Sequence, residues 1–423
     1  MSSAGRGDLS GLARRNFLVV WWSTFITSVG MMGFLPFIPL YVEELGVVDE
    51  DALRVWSGVI VGAAPLLAAL MAPLWGAFSD RLGRKLMIMR ANMAIVLFVG
   101  AMGFVTSPWQ MLALRLGQGV FSGFIAPAMT LVSVSTPANR QARTAANLQM
   151  ALMAGGIVGP IMGGAIADAF SYSTVFVVCS GLSVLATLLV WGFVTEPQAA
   201  EESSPKQVHA FGLLRSILRD MAMFLKHPVL RVVLAGAFAV RFGASLLDPL
   251  LALWVETRSG FDLNRLEAVT GMVFGAQALA TLLFTPVWGR IGDRLGNRRL
   301  LAICAAGAGL AYLGQRVVDD VTLLTILRFV SGAFVAGIVP AAFSAAARNS
   351  PVEKRGAAQG LTFSAVVLAR ATAPVSGGLL GAAFGLGPLF VLAALLMFVT
   401  SAMALRSSSE TSHQESGDQP TRR

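Results

Sequence analysis

The chain has 423 residues, of which 55% are hydrophobic and only 13% charged, with a formal net charge of +9. Its mean hydropathy is +0.70 and its pI about 10.5. A soluble domain of this length cannot bury so much apolar surface, so the bilayer must be the solvent for most of the chain. The basic balance does not call for nucleic acid, because Arg and Lys accumulate in the cytoplasmic loops of membrane proteins. The 44 glycines, 18 prolines and 18 methionines suit closely packed membrane helices.

Along the chain, Met1–Arg15 leads into an apolar run that reaches Val42, far longer than the core of a cleaved signal. Windows of about 20 residues with few charges mark transmembrane helices. They predict twelve, at 16–42, 55–76, 86–106, 109–132, 144–168, 172–194, 229–255, 267–288, 299–317, 321–344, 357–383 and 386–405. Thr195–Pro228 is the longest internal polar stretch and reads as a linker, with Phe211–Leu225 amphipathic enough to lie on a membrane surface. The expected organisation is a six-helix half over 1–194, a cytoplasmic linker over 195–228, a second six-helix half over 229–405 and a disordered cytoplasmic tail over 406–423.

Charge placement orients the spans. With both termini cytoplasmic, inner segments carry 24 Lys and Arg against four outside, namely Arg54, Arg258, Arg265 and Arg316. Acids such as Glu43, Glu44, Asp49, Asp319 and Asp320 collect on the outer side. Cys179 and Cys304 fall within apolar runs and read as core thiols, so no disulfide, metal or cofactor is expected.

The segment Gly76–Lys85 returns as Gly289–Arg298, an offset of 213. The same offset maps Gly30, Pro36, Leu40, Glu43, Gly58, Gly62, Pro73, Trp75, Arg115, Gly119 and Pro127 onto identical residues further on. Compositional bias aligns glycines but not charges, tryptophans and prolines over such a length. Two homologous six-helix units follow, and because six is even they run parallel.

These residues carry a pattern. Gly76, Asp80, Arg81, Gly83, Arg84 and Lys85 resemble the loop signature between helices 2 and 3 of the major facilitator superfamily, repeated in Asp293 and Arg294. Arg115, Gln118 and Gly119 resemble its helix 4 motif, and Gly155, Gly159, Pro160, Gly163 and Gly164 the helix 5 motif of its antiporters. Gly33–Gly46 resembles the helix 1 motif of the drug:proton antiporters within it. The resemblance implies a major-facilitator-type, all-α fold, alternating access, export of small molecules against protons, and a monomer. It implies that Asp80 latches the halves together on the cytoplasmic side and that the helix 5 glycines lie where the halves meet and limit leakage. Asn297 stands where the second loop would carry arginine.

Chemistry should lie with charges held inside the spans: Arg115, Arg241, Asp248, Arg328 and Arg370. A charge near mid-membrane costs about 2.5–3.5 kcal/mol by insertion scales, so it is rarely there without a task. Asp248 is the acid furthest inside a span, with Arg241 two turns before it on nearly the same face. Two readings stand. Either Asp248 loads and releases a proton as its surroundings change, with Arg115 and Arg241 tuning it, or Asp248 ends its helix and Glu43 or Glu44 titrates instead. Arg370 would pair with Asp248 or hold an anionic part of a substrate. Phe34, Tyr41, Gln149, Trp254, Gln277 and Arg370 are candidates to line a central cavity.

The sequence reads as a proton-coupled exporter of small amphipathic compounds or drugs; a metabolite or sugar carrier of the same fold is the alternative. No nucleophile–base arrangement, metal cluster or phosphate-cradling loop indicates an enzyme. Partners are then the substrate, protons and lipids. Four lysines beside many arginines fit a GC-rich prokaryote and a bacterial inner membrane.

Overall fold

The computed structural model describes residues 4–134, 136, 140–196, 228–260, 262–350 and 355–417. Among them, twelve helices are long and apolar enough to cross a membrane. The first six are α1 (Gly11–Glu44), α2 (Glu50–Leu82), α3 (Arg84–Met102), α4 (Pro108–Val134), α5 (Gln141–Ala169) and α6 (Tyr172–Phe193). The others are α7 (Leu230–Glu256), α8 (Leu266–Leu295), α9 (Asn297–Val317), α10 (Val321–Arg348), α11 (Arg355–Phe384) and α12 (Gly387–Gly417). The expected linker and its amphipathic stretch lie outside the described residues. Past the last span, α12 runs on through Ser407 to Gly417. Extending an existing helix costs little compared with starting one, and the tail has no proline before position 420.

α1 packs on α5 and α6, α2 on α4, and α3 on α4 and α6. The same pairings recur as α7 with α11 and α12, α8 with α10, and α9 with α10 and α12. The two sets meet chiefly along α2–α11 and α5–α8.

Local structure repeats at the same offset. Pro36 and Pro249 lack the amide an α-helix needs at that point, so α1 and α7 each pass through a 3-10 turn, at Leu35–Phe37 and Asp248–Leu250. Short helical tips follow, Ile38–Glu44 and Leu251–Glu256. Gly83 (φ +90°) and Gly296 (φ +80°) turn α2 into α3 and α8 into α9 in the left-handed region that a Cβ disfavours. Trp75 Nε1 donates to Val120 O at 2.6 Å, and Trp288 Nε1 to Ala333 O at 2.5 Å.

One break does not repeat. α4 is interrupted at Ser122–Phe124 around Gly123, whereas α10 continues unbroken through Ala336, 213 residues on. Arg90 from α3 fills this break, donating to Ser122 O at 3.1 Å and stacking 3.5 Å over the Trp75 ring.

The two sets touch at one end. There Gly58 and Gly62 of α2 meet Pro374, Gly378 and Val375 of α11, while Gly164 of α5 meets Glu267 and Gly271 of α8 meets Pro160. The tips of α1 and α7 lie in the same apolar core, with Ile38, Val42, Leu251 and Val255 fully buried. This end carries Glu43, Glu256 and Glu267. At the opposite, arginine-rich end, a side chain added at Gly76, Gly289 or Gly360 would meet nothing within 4 Å. The helices converge at the acidic end and splay at the basic one.

Gly119 and Gly332 sit directly against backbone of Ala64 and Gln277, their equivalents across the repeat. Gly332→Val should therefore cost at least the about 1–3 kcal/mol typical of over-packing, whereas Gly289→Val should be nearly neutral. Melting of the two detergent-solubilised variants checks this, and equal melting temperatures would contradict the contact.

Candidate functional site

Both loop signatures lie at the splayed end. The side chains of Asp80 and Arg81 are outside the described atoms, while Asp293 and Arg294 are exposed. The amides that open α3 are taken by Glu196, beyond the end of α6. Its carboxylate accepts from Arg84 N at 2.7 Å and Lys85 N at 2.9 Å, capping α3 where the helix dipole favours negative charge. Lys85 Nζ donates to Trp191 O at 2.8 Å. Asn297, where the second signature departs from arginine, donates to Ser344 Oγ at 2.7 Å and ties α9 to α10.

The helix 5 motif divides between two faces. Gly155, Gly159 and Gly163, one turn apart, lie against Ser28, Val29 and Gly33 of α1. Gly164 and the Pro160 carbonyl face α8 instead. α5 is thus sandwiched by backbone on both sides, and Pro160 is absorbed inside one continuous helix.

The two repeated arginines have different surroundings. Arg115, 3% exposed, donates from Nε to Ile60 O and from Nη2 to Val61 O, each at 3.0 Å, and from Nη1 to Gln118 Oε1 at 2.7 Å. It lies over the Phe34 ring, 5.6 Å from its centre. Arg328, 1% exposed, lies 5.7 Å over Phe274, but its Nε and Nη1 have no hydrogen-bond partner among the described residues. The difference starts in sequence: Ser331 replaces Gln118 and bonds back to Arg328 O.

Asp248 opens the 3-10 turn of α7 and is half-buried. The offset places it opposite Leu35, so a carboxylate enters the second copy where the first is apolar. It shares an electrostatic neighbourhood with Arg241, Arg370 and Tyr312; Arg328 also acts on Tyr312, whose hydroxyl donates to Ala244 O at 3.5 Å. The ion pairs among the described residues join Arg54 to Glu50 and Asp51, and Arg258 to Asp319; none includes Asp248. Glu43 is exposed at the tip of α1.

The cavity candidates separate. Gln149 and Arg370 are exposed and Gln277 is half-buried. Phe34 is covered by Arg115, and Tyr41 is buried against Tyr172 and Phe176 with its hydroxyl on Met102 O at 3.1 Å. Trp254 is packed between Phe390 and the Arg258 guanidinium, 3.8 Å above its ring. Tyr41 and Trp254 therefore build the closed end in this state and do not line an opening. Burial holds Arg258 below the ordinary arginine range, and Asp319 partly offsets this.

Two contacts were not foreseen from sequence. Glu196 is one. The other is the hydrogen bond from Tyr172 Oη on α6 to Glu267 Oε1 on α8, at 2.6 Å. Among the described residues it is the single side-chain hydrogen bond joining α1–α6 to α7–α12. Neither residue falls in a repeat match, so no pattern marked them.

Twelve spans, charges buried mid-span and helices that converge at one end define a multi-pass integral membrane transporter. Among the described residues no group of His, Cys, Asp and Glu can hold a metal. The family model described as Major Facilitator Superfamily matches residues 20–269 and 233–423. The chain belongs to this family of secondary transporters, which are not enzymes. It is 30% identical to the uncharacterized MFS-type transporter YuxJ of Bacillus subtilis, over 91% of this chain and 96% of that one. It is 29% identical to the multidrug resistance protein MdtG of Serratia proteamaculans, over 91% of each. In fold it is similar to the crystal structure of the human organic anion transporter MFSD10 (TETRAN), with a TM-score of 0.68, 19% identity and coverage of 93% of this chain and 99% of that one. Its bacterial relatives place it in the bacterial plasma membrane.

Hydrogen bonds to a charged group contribute about 1.5–3 kcal/mol each, and Arg115 makes three. Arg115→Met should lower the melting temperature in detergent by several degrees more than Arg328→Met. The reverse order would show that Arg328 has the stronger structural role.

Proposed function

We propose that the protein is a proton-coupled exporter of small amphipathic compounds, drugs among them, working as a monomer by alternating access between two parallel six-helix halves with both termini in the cytoplasm. The observation that carries this reading is the exchange symmetry of the contacts: α2–α11 and α5–α8 are equivalent seams under the 213-residue offset, and both are closed at the acidic end. Two equivalent seams let one half rock on the other and open either end. Charge bias puts the splayed end in the cytoplasm, so this state is open inward. Export of drugs draws support from relatives named as multidrug resistance proteins.

In this reading the inward-open state releases the cytoplasmic latch of Gly76, Asp80, Arg81 and their repeat partners, in keeping with the open space around Gly76 and Gly289. Asp248 carries the proton. It is half-buried in the 3-10 turn of α7 and free of a direct ion pair among the described residues, and solvent access there differs between states open to either side. Glu43 and Glu44 sit at the outer mouth.

In proteoliposomes with an imposed proton gradient and a pH-sensitive dye, substrate-dependent proton movement is expected, and Asp248→Asn should abolish it while membrane insertion stays intact. Gradient-driven transport retained in that variant would remove Asp248 from the coupling role.

Tyr172→Phe removes the polar tie across the closed end. It should shift the population towards the outward-open state, read as increased outer-side labelling of a cysteine placed at Ile161. Unchanged labelling would show that the apolar seams alone hold that end.

A further inference from the structure

The mid-span charges do not follow the repeat. Arg241, Asp248 and Arg370 occupy positions where the first copy has Ser28, Leu35 and Ile157; Arg328 alone has a charged counterpart, Arg115. Groups required by the architecture of both copies would recur, and these do not. Their placement is specific. Gly377 of α11 lies on Leu246 of α7 and Gly381 on Leu250, which fixes the register of these two helices. Arg370 stands seven residues before Gly377 and Arg241 five before Leu246, so the two guanidinium-bearing positions share nearly the same depth. Arg370 is on the face of α11 that carries Gly377. It is mid-helix and exposed between buried Ala369 and Ala371, so its side chain opens onto the space between the helices. Arg328, which shares the surroundings of Tyr312 with Arg241 and Asp248, is buried with Nε and Nη1 unpartnered among the described residues. Against three arginines this region holds one carboxylate, Asp248, which makes no direct ion pair among the described residues.

We infer that Arg370 and Arg241, backed by Arg328, form a subsite for an acidic group, so that the substrates are amphipathic anions: a carboxylate, phosphonate or sulfonate on an apolar body. A guanidinium fork matches such groups in two parallel hydrogen bonds, and in a low-dielectric cleft a substrate acid supplies the countercharge the helices lack. The inference rests on the export reading for direction only. The affinity is a property of α7 and α11.

The test uses three probes with one apolar body in the full-length protein in detergent: 1-pyrenebutyrate, its uncharged amide and the matching trimethylammonium. Binding is read by energy transfer from tryptophan to pyrene. The carboxylate should bind at least tenfold more tightly than the amide, and the ammonium least. Arg370→Gln should erase the difference while amide affinity stays within twofold; Arg241→Gln is the second variant and should reduce the preference. Equal affinities, preference for the ammonium, or a carboxylate preference that survives both substitutions would overturn the subsite. Competition by benzoate assigns it to a soluble solute, and competition by phosphatidylglycerol alone to a lipid headgroup; both sustain the acidic-group chemistry. Proton-driven transport of the same probes is scored separately in liposomes. Its failure with the charge preference intact would refute coupled export and leave the subsite standing.

Discussion

Helices surrounded by hydrocarbon gain little from burying apolar surface against each other, so direct backbone approach must hold them together. The rest of this structure depends on that constraint. It explains why glycines form the contacts of α5 with α1, of α2 with α11 and of α8 with α5, and why Gly58, Gly159, Gly163, Gly164 and Gly271 sit directly on backbone atoms of the facing helix. It also explains a division of labour. Within α1–α6 and within α7–α12, tryptophan and arginine side chains tie helix to helix through backbone carbonyls. Between the two sets the described residues show one side-chain hydrogen bond, Tyr172 to Glu267, and dispersion over small residues does the work.

Against this apolar background each charge held within a span has a definable role. Arg115 satisfies itself on α2 and Gln118 and acts as a fastener. Arg90 serves the break at Gly123, which has no counterpart in α10. Arg241, Asp248, Arg328 and Arg370 lack such closure, and they fall together in α7, α10 and α11. The two copies share a frame, and the proposed chemistry lies in one of them.

Most of the frame was legible in the sequence, because span length and apolar content are set by bilayer thickness rather than by tertiary detail. The predicted spans 144–168 and 321–344 differ from α5 and α10 by a few residues at the ends. The offset of 213 carried over to the two 3-10 turns and the tryptophan bonds. Contacts dependent on chain geometry were not legible. Nothing about Glu196 in sequence says that it will reach the amides of Arg84 and Lys85, over a hundred positions earlier. Tyr41 and Trp254 have the polar-tipped aromatic character of cavity linings, yet the 3-10 turns redirect the helix tips and bury both. Helix 5 illustrates the limit well: its glycine spacing announces close packing, but only the structure separates the face on α1 from the face on α8.

The Arg115 fastener has a mechanical consequence. A guanidinium keeps its charge at any physiological pH, so the grip of α4 on the carbonyls of Ile60 and Val61 does not loosen as protons come and go. α2 therefore travels with α4 as one rigid strut through the whole cycle, and sliding is confined to its other flank, against α11, where the described residues offer no side-chain hydrogen bond to break. A joint of that kind resists shear weakly and evenly. The molecule has a stiff beam on one side of α2 and a greased rail on the other, and the direction in which it can yield was settled when the arginine was placed.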